Sequence, residues 1–491
     1  MKTLRNALVV LQQRVAVINL LLVTILTVIT FSTTSKINNF EKLAYAAKGI
    51  PVEYRILLNF FSILLIVLFY FLIRSGWLYK EFSPKPINKL WAIFLLSFVC
   101  FVPTLYLSSD FFELMTFFYK LIGIGHIGRG FADLAGVLQG SILANFPGDY
   151  FKIDCPGTCV QYRWQYPSFL LEIPGKSFLA QNVQTVAIIL WILLILVSVF
   201  TLRGRFFKIS YFIFLCLPAS LLSHERMNIE ILLFFLIPLI VILNSRRYRL
   251  LSVPLLIVIM VEIKFYPLVL VALFTALEKF KLKSIGVYLL TGILSMFLVL
   301  PDLKMIGSAN LVAGYAGSYG LQNFLAILQG AINPYFQLLT PIYVFIGVFL
   351  IILGIYYGST IQLSDTKITR DHQHDKGLFL VAATLSSSAW LANSNYMYRL
   401  ILLFWCLPYL DALFNKNKQL ISVMISLLFF GMSMIPISLT PIRNVSLAVF
   451  FSILIGVLIR VLFNDNLPLF RNVSHGMKKS KIIMFSGKNK I

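Results

Sequence analysis

The chain has 491 residues, 59% of them hydrophobic and only 12% charged, and its mean hydropathy is +0.86. Soluble domains carry roughly 25% charged residues, so this composition excludes a string of soluble domains. The net charge of +23 is scattered over many short segments rather than gathered on one, which argues against a nucleic-acid partner.

Apolar runs of roughly 15–20 residues recur from end to end, the length that crosses about 30 Å of hydrocarbon. They fall at 15–34, 56–73, 90–107, 183–202, 209–224, 227–244, 250–263, 268–279, 284–301, 341–361, 377–391, 399–414, 419–438 and 445–463. These are about fourteen spans, with the pair flanking Lys264 the shortest. The runs are apolar all round, whereas a membrane barrel alternates polar and apolar residues. The expected fold class is all-α, a polytopic transmembrane helical bundle. The first run reads as a retained span, because it is long and no small-residue cleavage site follows it.

Cations orient the bundle. Lys2, Arg5 and Arg14 precede the first run, Arg74, Lys80, Lys85 and Lys89 follow the second, and Arg203, Arg205 and Lys208 follow the fourth. Arg246, Arg247 and Arg249, then Lys279, Lys281 and Lys283, then Lys416 and Lys418 continue the alternation, and Lys478, Lys479, Lys481, Lys488 and Lys490 close it. With fourteen spans all these clusters share one side, so both termini are expected in the cytoplasm of a multi-pass protein of the cell membrane. The same charge attracts anionic membrane lipids. One membrane domain, 1–463, accounts for the chain apart from a basic tail at 464–491. Two long outer segments remain, 108–182 and 302–340. In the first, Phe111–Ile122 and Phe131–Leu143 are apolar but short, as suits helices lying in the interface or packed on protein.

Cys100, Cys216 and Cys406 lie in spans and read as packing residues. Cys155 and Cys159, in Cys155-Pro156-Gly157-Thr158-Cys159, share the first outer segment. A small disulfide and a pair of free thiols both fit there; a metal fits poorly, since no His or second Cys pair accompanies them.

The acids of the first outer segment are Asp110, Glu113, Asp133, Asp149, Asp154 and Glu172. Asp133 stands out in an otherwise apolar run, where a carboxylate is costly unless it is paired or functional. Pairing with Arg129 is its structural alternative. Gly123–Gly130 is glycine-rich but lacks the Lys-Ser/Thr of a nucleotide loop. In His224-Glu225-Arg226-Met227-Asn228-Ile229-Glu230, helical spacing pairs Arg226 with Glu230 and His224 with Asn228. That cluster reads either as self-neutralising or as a polar wall facing an outer cavity. Arg226, Lys264 and Arg399 share the outer face, against the positive-inside trend. Three cations so placed suggest an anion site, most naturally for phosphate.

The order Asp133-Leu134, Gly148-Asp149-Tyr150, Tyr166-Pro167, Arg226-Met227-Asn228-Ile229-Glu230 and Lys264-Phe265-Tyr266-Pro267 carries a resemblance, with Gln322-Asn323 and Tyr398-Arg399-Leu400 further along. Over most of Phe131 to Pro408 the chain resembles GT-C superfamily glycosyltransferases. It is nearest the polyprenyl-phosphate-sugar-dependent branch that includes bacterial α-mannosyltransferases. It departs from them at Ser168, where a second Pro is frequent, and in its Cys155/Cys159 insert.

The resemblance implies a GT-C bundle with short interfacial helices in the first outer loop. It also implies transfer of a mannose-like hexose, with inversion, from a polyprenyl-phosphate donor to a glycolipid or glycan acceptor. Asp133 matches the family's general base, and Lys264, Arg226 and Arg399 match groups around the leaving phosphate. Trp164, Tyr166, Asp149 and Asn228 fall to the sugar and acceptor side. Tyr162, Trp164 and Tyr166 fit a sugar-stacking platform and an interfacial aromatic belt equally. No cofactor is implied, and no metal is demanded where cations meet the phosphate. Two rivals share the cations: a secondary transporter or flippase, which usually shows internal repeats not visible here, and a lipid-linked glycan polymerase or ligase, whose large loop usually comes late.

Overall fold

A computed structural model describes residues 64, 66–80, 86–100, 131–144, 150–152, 161–163, 166–172, 174–277, 282–306, 318–319, 321, 324, 340–363, 370–392, 395–433 and 440–466. They are helical almost throughout. In chain order the α-helices are α1 (Pro86–Cys100), α2 (Ala132–Leu143), α3 (Lys176–Gln181), α4 (Val183–Leu202), α5 (Ile209–Cys216) and α6 (Pro218–Arg226). Then come α7 (Glu230–Asn244), α8 (Arg249–Ile263), α9 (Val269–Leu277), α10 (Leu282–Ile306), α11 (Thr340–Ser359), α12 (Arg370–Ala392), α13 (Leu407–Phe414), α14 (Lys418–Met432) and α15 (Thr440–Asn466). Two short antiparallel ribbons join β1 (Tyr150–Lys152) to β2 (Gln161–Arg163) and β3 (Ser318–Tyr319) to β4 (Asn395–Tyr396). The run at 15–34, the Phe111–Ile122 stretch and the basic tail's Lys478–Lys490 lie outside the described residues.

Among the described residues, three helical stretches are long and apolar enough to cross a membrane: Val183–Leu202, Leu282–Asp302 and Arg443–Leu462. The first has no charged residue, and twenty residues at 1.5 Å each reach about 30 Å. It buries Ala187, Trp191, Leu194 and Ser198 against protein and exposes Ile188, Ile189, Ile192, Leu196 and Phe200. A helix apolar on every face needs hydrocarbon or protein all round it. By contrast α15 is mostly enclosed, with Leu447, Phe450, Leu454, Val457 and Val461 buried.

Helix α15 packs on α11 at backbone distance. A Cβ on Gly358 would lie 2.1 Å from the Ile453 carbonyl oxygen, and one on Gly456 would lie 2.1 Å from that of Ile355. Only a missing side chain permits this approach, and membrane helices commonly associate through small residues in this way.

Two expected spans are broken, and a sharp bend joins α6 to α7. The run at 209–224 divides into α5 and α6, because Leu217 is extended and Pro218 opens a new helix. A proline has no N–H to continue the preceding helix and disfavours helical geometry in the residue before it. Helices α6 and α7 meet at 105° and together make up a fourth potential span. Met227, at their junction, has a left-handed backbone (φ 45°). Finally, 399–414 begins as a 3₁₀ helix, Met397–Cys406, before α13.

The ends of α12 separate two polar regions. Near its start Asp375 binds Arg205 through both guanidinium Nη atoms, with Nη2 to Oδ1 at 2.9 Å, while Lys208 pairs with Asp411. Past its other end the chain enters β4 and reaches Arg399. From Asp375 to Ala392 a helix rises roughly 25 Å, about the depth of hydrocarbon.

Candidate functional site

The site is built where helices stop. Phe131 precedes α2 with a left-handed backbone (φ 59°), and its N–H donates to the Glu225 carbonyl oxygen at 2.7 Å. This bond fastens the start of α2 to the end of α6. Asp133 follows in the first turn of α2, where the helix dipole favours a carboxylate.

The break after α6 supplies its partners. Arg226 Nη1 lies 2.9 Å from Asp133 Oδ1, and Asn228 Nδ2 donates to Asp133 Oδ2 at 2.5 Å. The other Asn228 amide atom, Oδ1, accepts the Glu230 N–H at 3.1 Å and so helps to start α7. The expected pairings of Arg226 with Glu230 and of His224 with Asn228 are therefore corrected. Both assumed one continuous helix, and the left-handed turn at Met227 ends it. Arg226 turns to Asp133 and approaches Glu225 (3.8 Å), and buried His224 packs edge-on against Trp191 with ring centroids 4.6 Å apart.

Glu230 organises a second centre beside the first. Its side chain is fully buried. Oε2 accepts the Tyr266 hydroxyl at 2.5 Å, while Oε1 lies 2.9 Å from Arg399 Nε and 3.9 Å from Lys264 Nζ. Lys264 is held at the end of α8 and Tyr266 opens the 3₁₀ turn Tyr266–Leu268, so one short break presents both. Lys264 Nζ also sits 4.2 Å from the Tyr166 ring centroid, and the Arg399 guanidinium lies 5.7 Å from that of Tyr266. Cation–ring contacts of this kind are stronger where water is excluded.

Tyr166 links the two centres. Its phenol hydrogen-bonds the Asn228 side chain, and burial, followed by the charge of Asp133, pushes it far above its ordinary range. It therefore stays a neutral hydroxyl. Lys264, in the break after α8, is lowered to about 8 by burial; Glu230 opposes that shift and Arg399 adds to it. The segment carrying Tyr166 is tied to α10: Ser168 donates through N–H (2.7 Å) and Oγ–H (3.0 Å) to Asp302 Oδ2. Ribbon β3–β4, pairing Ser318 with Tyr396 and Tyr319 with Asn395, brings part of the 302–340 segment beside the strand leading to Arg399.

Of the residues singled out in the sequence, Asp133, Arg226, Asn228, Lys264, Arg399 and Tyr166 thus come together. Asp149 and Trp164 lie outside the described residues, as do Cys155, Cys159, Arg129, Gln322 and Asn323. Asp133 is paired with Arg226, from a distant helix.

No protein-family model, curated protein or solved structure matches this chain.

Among the described residues, no group of three or more His, Cys, Asp and Glu side chains is arranged to hold a metal ion. What the site offers is a carboxylate held by a cation and an amide, next to two further cations around a buried acid. Sequence reasoning missed Glu230 as the centre of that second cluster, Tyr266 as its hydrogen-bond donor and Asp302 as an anchor. The polar Lys264–Tyr266 break carried a signal for Tyr266. Glu230 was visible but assigned to the wrong partner.

Proposed function

We propose that the protein is a membrane glycosyltransferase of GT-C type, with about fourteen spans and both termini cytoplasmic. It moves a mannose-like hexose, with inversion, from a polyprenyl-phosphate donor to a glycolipid or glycan acceptor on the outer face of the cell membrane. The observation that carries this reading is one juxtaposition. Asp133, held by Arg226 and Asn228, stands close enough to Lys264 for its charge to act there, and Lys264 and Arg399 converge on Glu230. These groups come from widely separated stretches of the chain.

The chemistry follows from their types. Asp133 takes the proton of the acceptor hydroxyl as its oxygen bonds to the anomeric carbon, while the bond from that carbon to the phosphate oxygen breaks. A single displacement needs one base, unlike inverting hydrolysis, which needs a carboxylate pair around a water. The departing lipid phosphate gains negative charge, and Arg226, Lys264 and Arg399 stabilise it electrostatically. Tyr166, with Asn228, offers an aromatic face and a polar edge to the sugar or acceptor; Trp164 and Asp149 are assigned to the same side.

Incubating the purified protein with radiolabelled polyprenyl-phosphate sugars and a membrane lipid extract tests the reading. Label entering the lipid or glycan fraction is expected. Unchanged donor with every sugar would overturn it, and movement of intact donor across vesicle membranes would point to a flippase instead.

A further inference from the structure

Glu230 is a puzzle within a phosphate site. An acid among the cations that meet a phosphate opposes the ligand, yet this one is completely enclosed and engages three groups from two other parts of the fold. Its hold on Arg399, at 2.9 Å, is closer than its approach to Lys264, at 3.9 Å. Tyr266 donates to the second oxygen at 2.5 Å, so Oε2 is hydrogen-bonded while Oε1 lies within ion-pair range of both cations. A carboxylate gripped this way stays in place when a ligand enters, and because water does not reach it, its charge is little screened.

We propose that Glu230 is a specificity-determining residue. It permanently offsets one of the two charges of Lys264 and Arg399, so that this pair selects a singly charged phosphodiester head group over a diphosphate. The inference rests on the reading of the site as one for a lipid-phosphate donor. Glu230, Lys264 and Arg399 together carry one net positive charge. A phosphodiester needs one charge to balance it. A diphosphate brings at least one more negative charge against the same fixed carboxylate, and juxtaposed like charges reject a ligand as effectively as missing contacts do. Lys264, more loosely held and facing Tyr166, is the cation that meets the ligand most directly, while Arg399 also keeps Glu230 in place.

Binding to the purified full-length protein in detergent tests this, with two probes that share one short prenyl chain: the prenyl phosphoryl-mannose and the prenyl diphosphate. Inorganic phosphate and pyrophosphate, added as competitors, separate recognition of a lipid head group from recognition of the free anion. The wild-type protein is expected to prefer the phosphoryl-mannose. Glu230→Gln, which keeps the size and the acceptor for Tyr266 but removes the charge, is expected to shift that preference toward the diphosphate by about tenfold or more. Glu230→Asp, which keeps the charge but shortens the reach, is expected to retain the wild-type preference even if both probes bind more weakly.

An unchanged ratio in Glu230→Gln would overturn the proposal while leaving the donor reading intact. So would a gain of diphosphate binding in Glu230→Asp, which can be scored even if the Gln variant does not fold. Wild-type protein that binds neither prenyl probe would remove the donor reading and this inference with it.

Discussion

Asp133 touches two groups in the described structure, Arg226 and Asn228, and its replacement separates chemistry from architecture. Asp133→Asn keeps the shape and an acceptor for the Asn228 amide, but it cannot take a proton. Transfer is expected to fall at least about a hundredfold, the lower end of general-base effects, with thermal stability in detergent nearly unchanged. Near-normal turnover would move the base elsewhere, with Asp149 the first alternative. Lys264→Ala is expected to raise the apparent donor constant more than the acceptor constant, by an amount on the order of 2–5 kcal/mol if the phosphate loses a desolvated partner. Lys264→Arg keeps the charge but not the fit above Tyr166 and should recover only part of that loss. The amine's titration gives an independent check. Lys264 is lowered to about 8, so its charge is complete well below that pH and disappears as pH rises through it. Donor affinity should therefore decline above about pH 8, and the decline should be absent from Lys264→Arg, whose guanidinium stays charged.

Single elements position these residues, and two of them can be loosened separately. The segment Ser168–Glu172 has no long helix of its own to hold Tyr166, and it depends on Asp302 at the end of α10. Asp302→Ala removes the acceptor for both Ser168 donors, and hydrogen bonds to a charged group contribute about 1.5–3 kcal/mol each at most. Faster proteolytic cutting near Ser168 and a several-fold loss of transfer are expected, and Asp302→Asn should restore most of both. If Asp302→Ala cuts no faster than wild type, this tether does not hold the loop. The α11–α15 contact tests packing alone. Gly456→Ala places a Cβ against the Ile355 carbonyl and Gly358, backbone that cannot rotate away. A marked drop in melting temperature is expected, with surviving folded molecules keeping wild-type donor affinity. An unchanged melting temperature would mean that these helices do not pack this closely.

At the scale of the whole molecule, the charges at the two ends of α12 differ in kind. At one end Arg205 and Lys208 are matched one for one by Asp375 and Asp411. At the other, Arg226, Lys264 and Arg399 converge around Asp133 and Glu230. Orientation is testable through the 108–182 segment, which is expected outside. A membrane-impermeant thiol reagent applied to intact cells should label Cys155 and Cys159 only after reduction, if the pair is outside and oxidised. Labelling confined to inside-out vesicles would invert the topology and remove the outer-face site.

The sequence by itself determined the helical class, many helix positions and six of the residues that gather at the site, Asp133, Tyr166, Arg226, Asn228, Lys264 and Arg399, because hydrophobic run length and stray charges are local properties of the chain. Val183–Leu202 coincides with its expected span, and α8 and α9 stop on either side of the Lys264 break, as apolar run lengths alone indicated. Pairing was not local. Helical spacing joined Arg226 to Glu230, but the left-handed turn at Met227 sent one to Asp133 and the other to Arg399. Only the tertiary structure decided that, because an ion pair belongs to whichever groups the packed helices bring within a few ångströms, and a single backbone turn redirects every side chain after it. The same holds for Asp302: nothing near it in sequence marks it as the anchor of Ser168, from which it is separated by helices α3 to α9 and most of α10.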